Sequence, residues 1–553
     1  MQKQQRKLVC MLLVLALLSA CNKMPDHARY IPKDAVAVAG INLKGLSKKI
    51  AWAVITDSKL FKEMQDRISE KNTKDAMNGI EKAGIDFLNT LYVYVKTDNR
   101  FKGGNRITGI IPLSDAGQWE DYIKKVVPGV QITQHGSHKE ASLGRDMYVG
   151  WSSNVLMIMN VISAGQDGAD LSGNGGTNKS PDANAISTEM ESAFNITVDN
   201  SIKGNAHFNE LDAQGHDISF LLNYEKVMAQ MSGNMAEKIG MNLQGDLWKD
   251  AAFTTGLDFE KGKITGDIHY YIPGMKDIGT ELGSTNADKE MLDKLPAQNL
   301  DMLLSMHIST KGIKAIMEKL SLLGIANAGL STQGLSADNV LDAFTGDMAF
   351  AMNDFSLKNE KVTDQFMGQT VVHDEQKTSM SFTYVMKLNK SEEFQKLVKL
   401  AKENGLPASG KGFVIPINSK DSVFILMNDK FAVASNKYAY ASGLLDGNAK
   451  SGMAESAASG AYGHPTAFFL DMQQLLKNID PAISHSAHDS AMISESKKLL
   501  NTVSFTGGSF KNDAFEYHLD INFMNKDENS ILILKDFGTK MSEVDKTKGN
   551  INP

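Results

Sequence analysis

Ile107-Thr108-Gly109-Ile110-Ile111-Pro112-Leu113, followed by Trp119, Tyr122, Ile123 and Val126, reads as a strand running into an amphipathic helix. Phe382-Thr383-Tyr384-Val385-Met386-Lys387-Leu388, followed by Phe394, Leu397, Val398 and Ala401, repeats it. In both, the helix residues fall at i, i+3, i+4 and i+7, which is one helix face. Ser114 and Asn389 precede the two helices at the same offset and are expected N-caps; Pro128-Gly129 and Asn404-Gly405 end them.

The match extends in both directions. Upstream, Phe87 to Val95 is echoed by Phe344 to Met352, and Val36 to Leu43 by Leu300 to Ile308. Downstream, the hairpin Met147–Trp151 with Val155–Met159 is echoed by Val423–Met427 with Phe431–Ser435. Strands 252–259 and 264–272 correspond to 503–510 and 515–523. At four strand ends a small polar residue is followed by apolar residues at +4 and +8: Asn42, Asn223, Ser309 and Asp471. Hairpins rather than steady strand-helix-strand units indicate an α+β fold. The expectation is a tandem duplication of two similar domains, 27–285 and 288–540, each a mostly antiparallel sheet packed with helices. Residues 164–187, rich in Gly, Asn, Asp and Ser, are expected as a flexible insertion in the first. A tail over 541–553 is expected to fray.

The chain has 553 residues and opens with Lys3, Arg6 and Lys7 before an apolar run from Leu8 to Leu18. That run is too short to span a bilayer and suits a signal peptide. It closes on Leu18-Ser19-Ala20-Cys21, a lipobox. Residues 1–20 are therefore expected to be cleaved, Cys21 to carry lipid, and 21–29 to form a tether. With Cys10 lost and Cys21 lipidated, neither of the two cysteines leaves a free thiol for disulfide, metal or catalysis. Loss of the leader's three cations takes the formal net charge from −7 to −10. This balance argues against a nucleic-acid partner and against polybasic membrane adsorption, leaving the lipid on Cys21 as the membrane contact.

No reaction is spelled out elsewhere. Gly173–Ser180 approximates a phosphate loop but has Asn178 where the second glycine belongs. His135 with His138, and His485 with His488, lack a third ligand at metal spacing and read as surface residues. Asp167 and Asp170 lack the other oxygens of a calcium loop. Glu120-Asp121 and Glu392-Glu393 are expected in the first turns of the matched helices, where they complement the helix dipole. The 29 methionines, many within apolar runs such as Met157, Met159, Met302 and Met348, read as core filler. No catalytic, metal or cofactor residues are assigned.

Tyr30-Ile31-Pro32-Lys33-Asp34-Ala35-Val36-Ala37-Val38, then Ile41-Asn42-Leu43-Lys44-Gly45-Leu46 and Gly84-Ile85-Asp86, resembles domain-of-unknown-function family 4836, lipoproteins of Bacteroidetes. The resemblance implies an envelope lipoprotein and brings no catalytic residues. Surface export in that group is linked to an acidic run after the cysteine, and Asn22-Lys23-Met24-Pro25 has none, so the periplasmic face of the outer membrane is the expected location. The group O-glycosylates Asp-Ser/Thr-apolar triplets; Asp421-Ser422-Val423 and Asp489-Ser490-Ala491 fit, with Ser422 and Ser490 as acceptors. The function expected is a non-enzymatic binding or scaffolding module for an envelope protein or glycan. The alternative is a lipid-anchored hydrolase of glycan or peptide.

Overall fold

A computed structural model describes residues 26–50, 79–97, 105–143, 147–162, 183–232, 248–366, 369–409, 412–417, 421–447, 457, 460–480 and 487–549. The described residues fall into two compact units, one from Met1–Lys226 with Ala252–Asp258, the other from Val227–Ala251 with Phe259–Pro553. The class is α+β, and the strand pairings that build each unit's sheet are antiparallel.

The first unit holds β1 (Ala37–Asn42), β2 (Thr90–Thr97), β3 (Asn105–Pro112), β4 (Ile132–His135), β5 (His138–Ser142), β6 (Met147–Trp151), β7 (Val155–Ile162), β8 (Ile218–Asn223) and β9 (Ala252–Glu260). Their spatial order is β4-β5-β6-β7-β3-β2-β1-β8-β9. The second holds β10 (Lys263–Tyr271), β11 (Leu300–His307), β12 (Phe344–Phe366), β13 (Gln369–Leu388), β14 (Ala408–Ser409), β15 (Gly412–Pro416), β16 (Ser422–Met427), β17 (Phe431–Ser435), β18 (Thr466–Asp471), β19 (Leu500–Lys511) and β20 (Ala514–Phe523). Its order is β14-β15-β16-β17-β13-β12-β11-β18-β19-β20-β10. Adding ten to each label of the first order reproduces the second from β14 to β19.

The helices are α1 (Leu43–Lys49), α2 (Ala116–Val126), α3 (Ala183–Phe194), α4 (Ala206–Gln214), α5 (Tyr224–Ser232), α6 (Lys276–Leu282), α7 (Lys289–Asp293) and α8 (Thr310–Lys319). They continue with α9 (Leu323–Ser331), α10 (Ala337–Asp342), α11 (Ser391–Glu403), α12 (Tyr438–Asp446), α13 (Met472–Lys477), α14 (Ala487–Leu499) and α15 (Ser530–Gly549). In the first unit, Tyr92, Tyr94, Ile110, Met157 and Met159 from the sheet pack on Ile186 and Met190 of α3 and Phe208 of α4. A second cluster sets Trp119 and Ile123 of α2 against Val149, Trp151 and Leu156. In the second unit, Phe394 and Val398 of α11 lie on Phe413 and Ala432.

The four polar strand ends do cap the helices that begin beside them. Asn42, Asn223, Ser309 and Asp471 accept from the amides of Gly45, Lys226, Gly312 and Gln474. Caps at the matched helices sit one residue later than expected. Asp115 caps α2, accepting from Gly117 and Gln118, while Lys390 precedes α11 without a side-chain cap. Ser114 instead donates to the carbonyl of Gly84, 3.0 Å away. Gly84 has φ +69°, and a Cβ there would lie 2.1 Å from the Asp115 carbonyl oxygen, so the Gly84-Ile85-Asp86 motif is a close backbone crossing that only glycine permits.

Four expectations need correction. Residues 164–182 of the insertion lie outside the described residues, but 183–187 begin α3 with Ile186 fully buried. The tail from 541 is helical to Gly549, because Ile533 and Met541 bury an apolar stripe. Glu120 and Asp121 lie in the second turn of α2, while Glu392 and Glu393 do occupy the first turn of α11. The strands ending at Leu388 and starting at Phe344 are far longer than their apolar cores, at 20 and 23 residues.

Candidate functional site

In the first unit, His138 and Glu140 alternate on β5 and so share a face. That face meets α3. His138 is 2% exposed and stacks on Phe194 at 4.2 Å, correcting the surface reading of this histidine. Its Nε2 lies 2.7 Å from Glu140 Oε1, and Ser187 donates to Glu140 Oε2 at 2.7 Å. His135 Nε2 is 3.8 Å from the same carboxylate. Buried Arg106 of β3 ion-pairs with Glu189, also of α3. A carboxylate accepting from Nε2–H leaves His138 Nδ1 as an acceptor in the neutral ring, and that atom has no hydrogen-bond partner among the described residues.

His138 also lines a recess of about 200 Å³ with Glu120, Gln134, Ser137, Lys139, Ser152 and Ser153. Glu120 accepts from Lys124 at 2.6 Å and from Lys139, and these two bonds hold its carboxyl below the usual range. A hydrolytic triad needs histidine between hydroxyl and acid. Here the acid stands between Ser187 and His138, so the arrangement orients a ring without activating a nucleophile.

The other polar clusters are paired internally, except that Asp301 Oδ1 has no hydrogen-bond partner among the described residues. In the first unit, Lys49 Nζ lies 2.5 Å from Asp217, and His216 Nδ1 lies 2.7 Å from Asp258. In the second, Asp347 joins His307 Nδ1 at 2.9 Å, Thr345 Oγ1 at 2.7 Å and the Asp288 amide at 3.1 Å. Burial alone would raise its pKa, but the bonds from His307 and Thr345 outweigh burial and hold Asp347 low. Asp301, at the start of β11, is fully buried and accepts from the Phe355 amide at 2.8 Å. Burial pushes it up to about 6, helped by Asp354 and Asp471.

Cys21, Gly173–Ser180, Asp167, Asp170 and His485 lie outside the described residues. Ser422 is the first residue of β16, opposite Pro416; Ser490 lies in α14. Among the described residues no group of three His, Cys, Asp or Glu could hold a metal, and no helix is long and apolar enough to cross a membrane. The His-x-Glu alternation of 138–140 was a readable signal for the His138–Glu140 pair. Nothing in the local sequence pairs Arg106 with Glu189.

These features define an α+β protein with a small polar recess and no assigned chemistry. The chain belongs to the family described as Domain of unknown function (DUF4836), whose model matches residues 28–531. No curated protein matches it. Solved structures of TP0453 in crystal forms IV and I overlap 48% of this chain and 87% and 82% of theirs, at 7% and 9% identity and a TM-score of 0.24. An overlap that loose says nothing of function.

Proposed function

We propose that this is a lipid-anchored envelope protein, a tandem pair of related α+β domains that binds an envelope glycan or protein without chemical turnover. It would be tethered through Cys21 at the periplasmic face of the outer membrane. The repeated strand order and the four capped strand ends support the duplication. The observation that carries the binding reading is His138. Its ring is fixed by Glu140 and Phe194, and the residue lines a recess of about 200 Å³ beside the charged pair Glu120 and Lys139. That volume is below the usual ligand-pocket range of about 300–1,000 Å³ and suits one sugar ring or one side chain.

The test is a photo-crosslinker placed at exposed Ser137 and used in native envelopes. A defined adduct is expected, absent when the probe sits at Lys399 and reduced several-fold by Lys139→Ala. No adduct at Ser137 overturns the binding reading. Glycan or peptide cleavage by the purified chain would favour the hydrolase instead.

A further inference from the structure

In the second unit β12 pairs with β11 only as far as Asn353, and β13 pairs with β17 only from Thr383 to Lys387. Between these limits β12 and β13 form a ladder with each other from Ser356↔Ser379 to Phe366↔Gln369. Eleven register pairs at about 3.4 Å each give an arm of roughly 35 Å. Residues 369–380 are all exposed, including Val371, Val372 and Met380 at 44%, 57% and 44%. Leu357 at the base of the arm is held by Asn478 and Asp480, and among the described residues the ladder on the outer side of β13 ends at Thr383. Beyond these ties a two-stranded ribbon is marginal in water, and an exposed strand edge is a template for another strand.

The side of β13 turned away from β12 is defined by Asn436, which donates to the Met380 carbonyl and accepts from the Phe382 amide. Backbone groups alternate sides along a strand, so even-numbered residues of β13 present theirs to this outer edge. Within the arm, like charges face each other across the ladder: Lys358 opposite Lys377 and Glu360 opposite Glu375. One diagonal ion pair, Lys377 Nζ to Glu360 Oε2 at 2.8 Å, offsets this repulsion, and Glu375 is left beside Glu360.

We infer that the outer edge of β13 docks a second copy of this chain, the two strands pairing antiparallel about a two-fold axis at Gln376. In that register Glu375 faces Lys377 of the other copy twice, and Val372 faces Met380 twice. Sliding two residues in pairing sum either way sets Glu375 against Glu375 or Lys377 against Lys377, so charge selects the register. The inference does not depend on the recess of the first unit.

The experiment uses the mature chain with Cys21→Ser, which leaves no other thiol. Sedimentation is expected to show a concentration-dependent dimer. An antiparallel pair astride a two-fold axis has a Cα separation near 5.5 Å, within disulfide range. Gln376→Cys should therefore oxidise to a covalent dimer at least several-fold faster than Thr378→Cys. Lys377→Glu should weaken the dimer at least tenfold, and Glu375→Lys with Lys377→Glu should restore it. In the double variant Lys358 faces the carboxylate introduced at position 377 and Glu360 the cation introduced at position 375, so the arm's like-charge contacts become opposite-charge ones and the arm itself is preserved. A chain that stays monomeric up to its solubility limit overturns the inference. So does a dimer indifferent to both charge reversals, which would place the contact elsewhere.

Discussion

Asp301 is the residue whose protonation the fold perturbs most usefully. Its pKa is raised from 3.8 to about 6 by burial, so the folded state holds the proton more tightly than the unfolded chain. Between those two values Asp301 binds more proton in the native state, so its own contribution to stability falls as pH rises from about 4 to beyond 6. Asp301→Asn removes the charge while an amide oxygen can still accept from Phe355. The variant is expected to gain on the wild type as pH rises from 4.5 to 7.5, by about 1–3 kcal/mol, the scale of an ill-matched buried polar group. Urea denaturation at the two pH values measures it; a gap that does not change with pH means that Asp301 titrates normally. Tyr92 and Asp212 of the first unit show the opposite solution to burial. The phenol donates to the carboxylate at 2.6 Å, burial raises both groups, and each is the other's partner.

Among the elements, α15 was the least legible. Its residues 538–549 carry many charges, and charge at a chain end reads as a solvated tail. The burial of Met541 depends on α14, which lies more than 40 residues away: Lys540 reaches Glu495 at 3.1 Å, and Lys498 binds the same carboxylate at 2.6 Å. A chain ending at Phe537 is expected to lose about 2–4 kcal/mol, the scale of deleting a buried methionine. An unchanged urea midpoint would show that the last three turns contribute nothing. The strand-helix repeats were readable because both of their periods, 2 and 3.6, are local. The arm was not, since its strands hold Lys358, Glu360, Lys361, Asp374, Glu375 and Lys377 and lack the alternation a buried face imposes. The recess is an intermediate case. His138 and Glu140 announce a shared face, whereas Ser187 and Phe194 reach it from an element nearly 50 residues on.

On the scale of the molecule, the two units repeat a strand order but not a polar site, and the recess belongs to the first. That unit is also the one nearest the expected anchor. From Cys21 to His27, the first buried residue among those described, is six residues, which at about 3.5 Å each reach no more than roughly 21 Å. A lipid on Cys21 would therefore keep the first unit near the bilayer, whereas a chain without it has no described helix able to span. The formal charge of −7, or −10 if the leader is removed as expected, would give no net electrostatic attraction to an anionic surface either. Cys21→Ser is thus expected to move the protein from the membrane pellet to the soluble envelope fraction while leaving its thermal melting unchanged. Continued pelleting of a folded, unlipidated chain would locate the membrane contact in the body of the protein and remove the reason for placing the recess close to the bilayer.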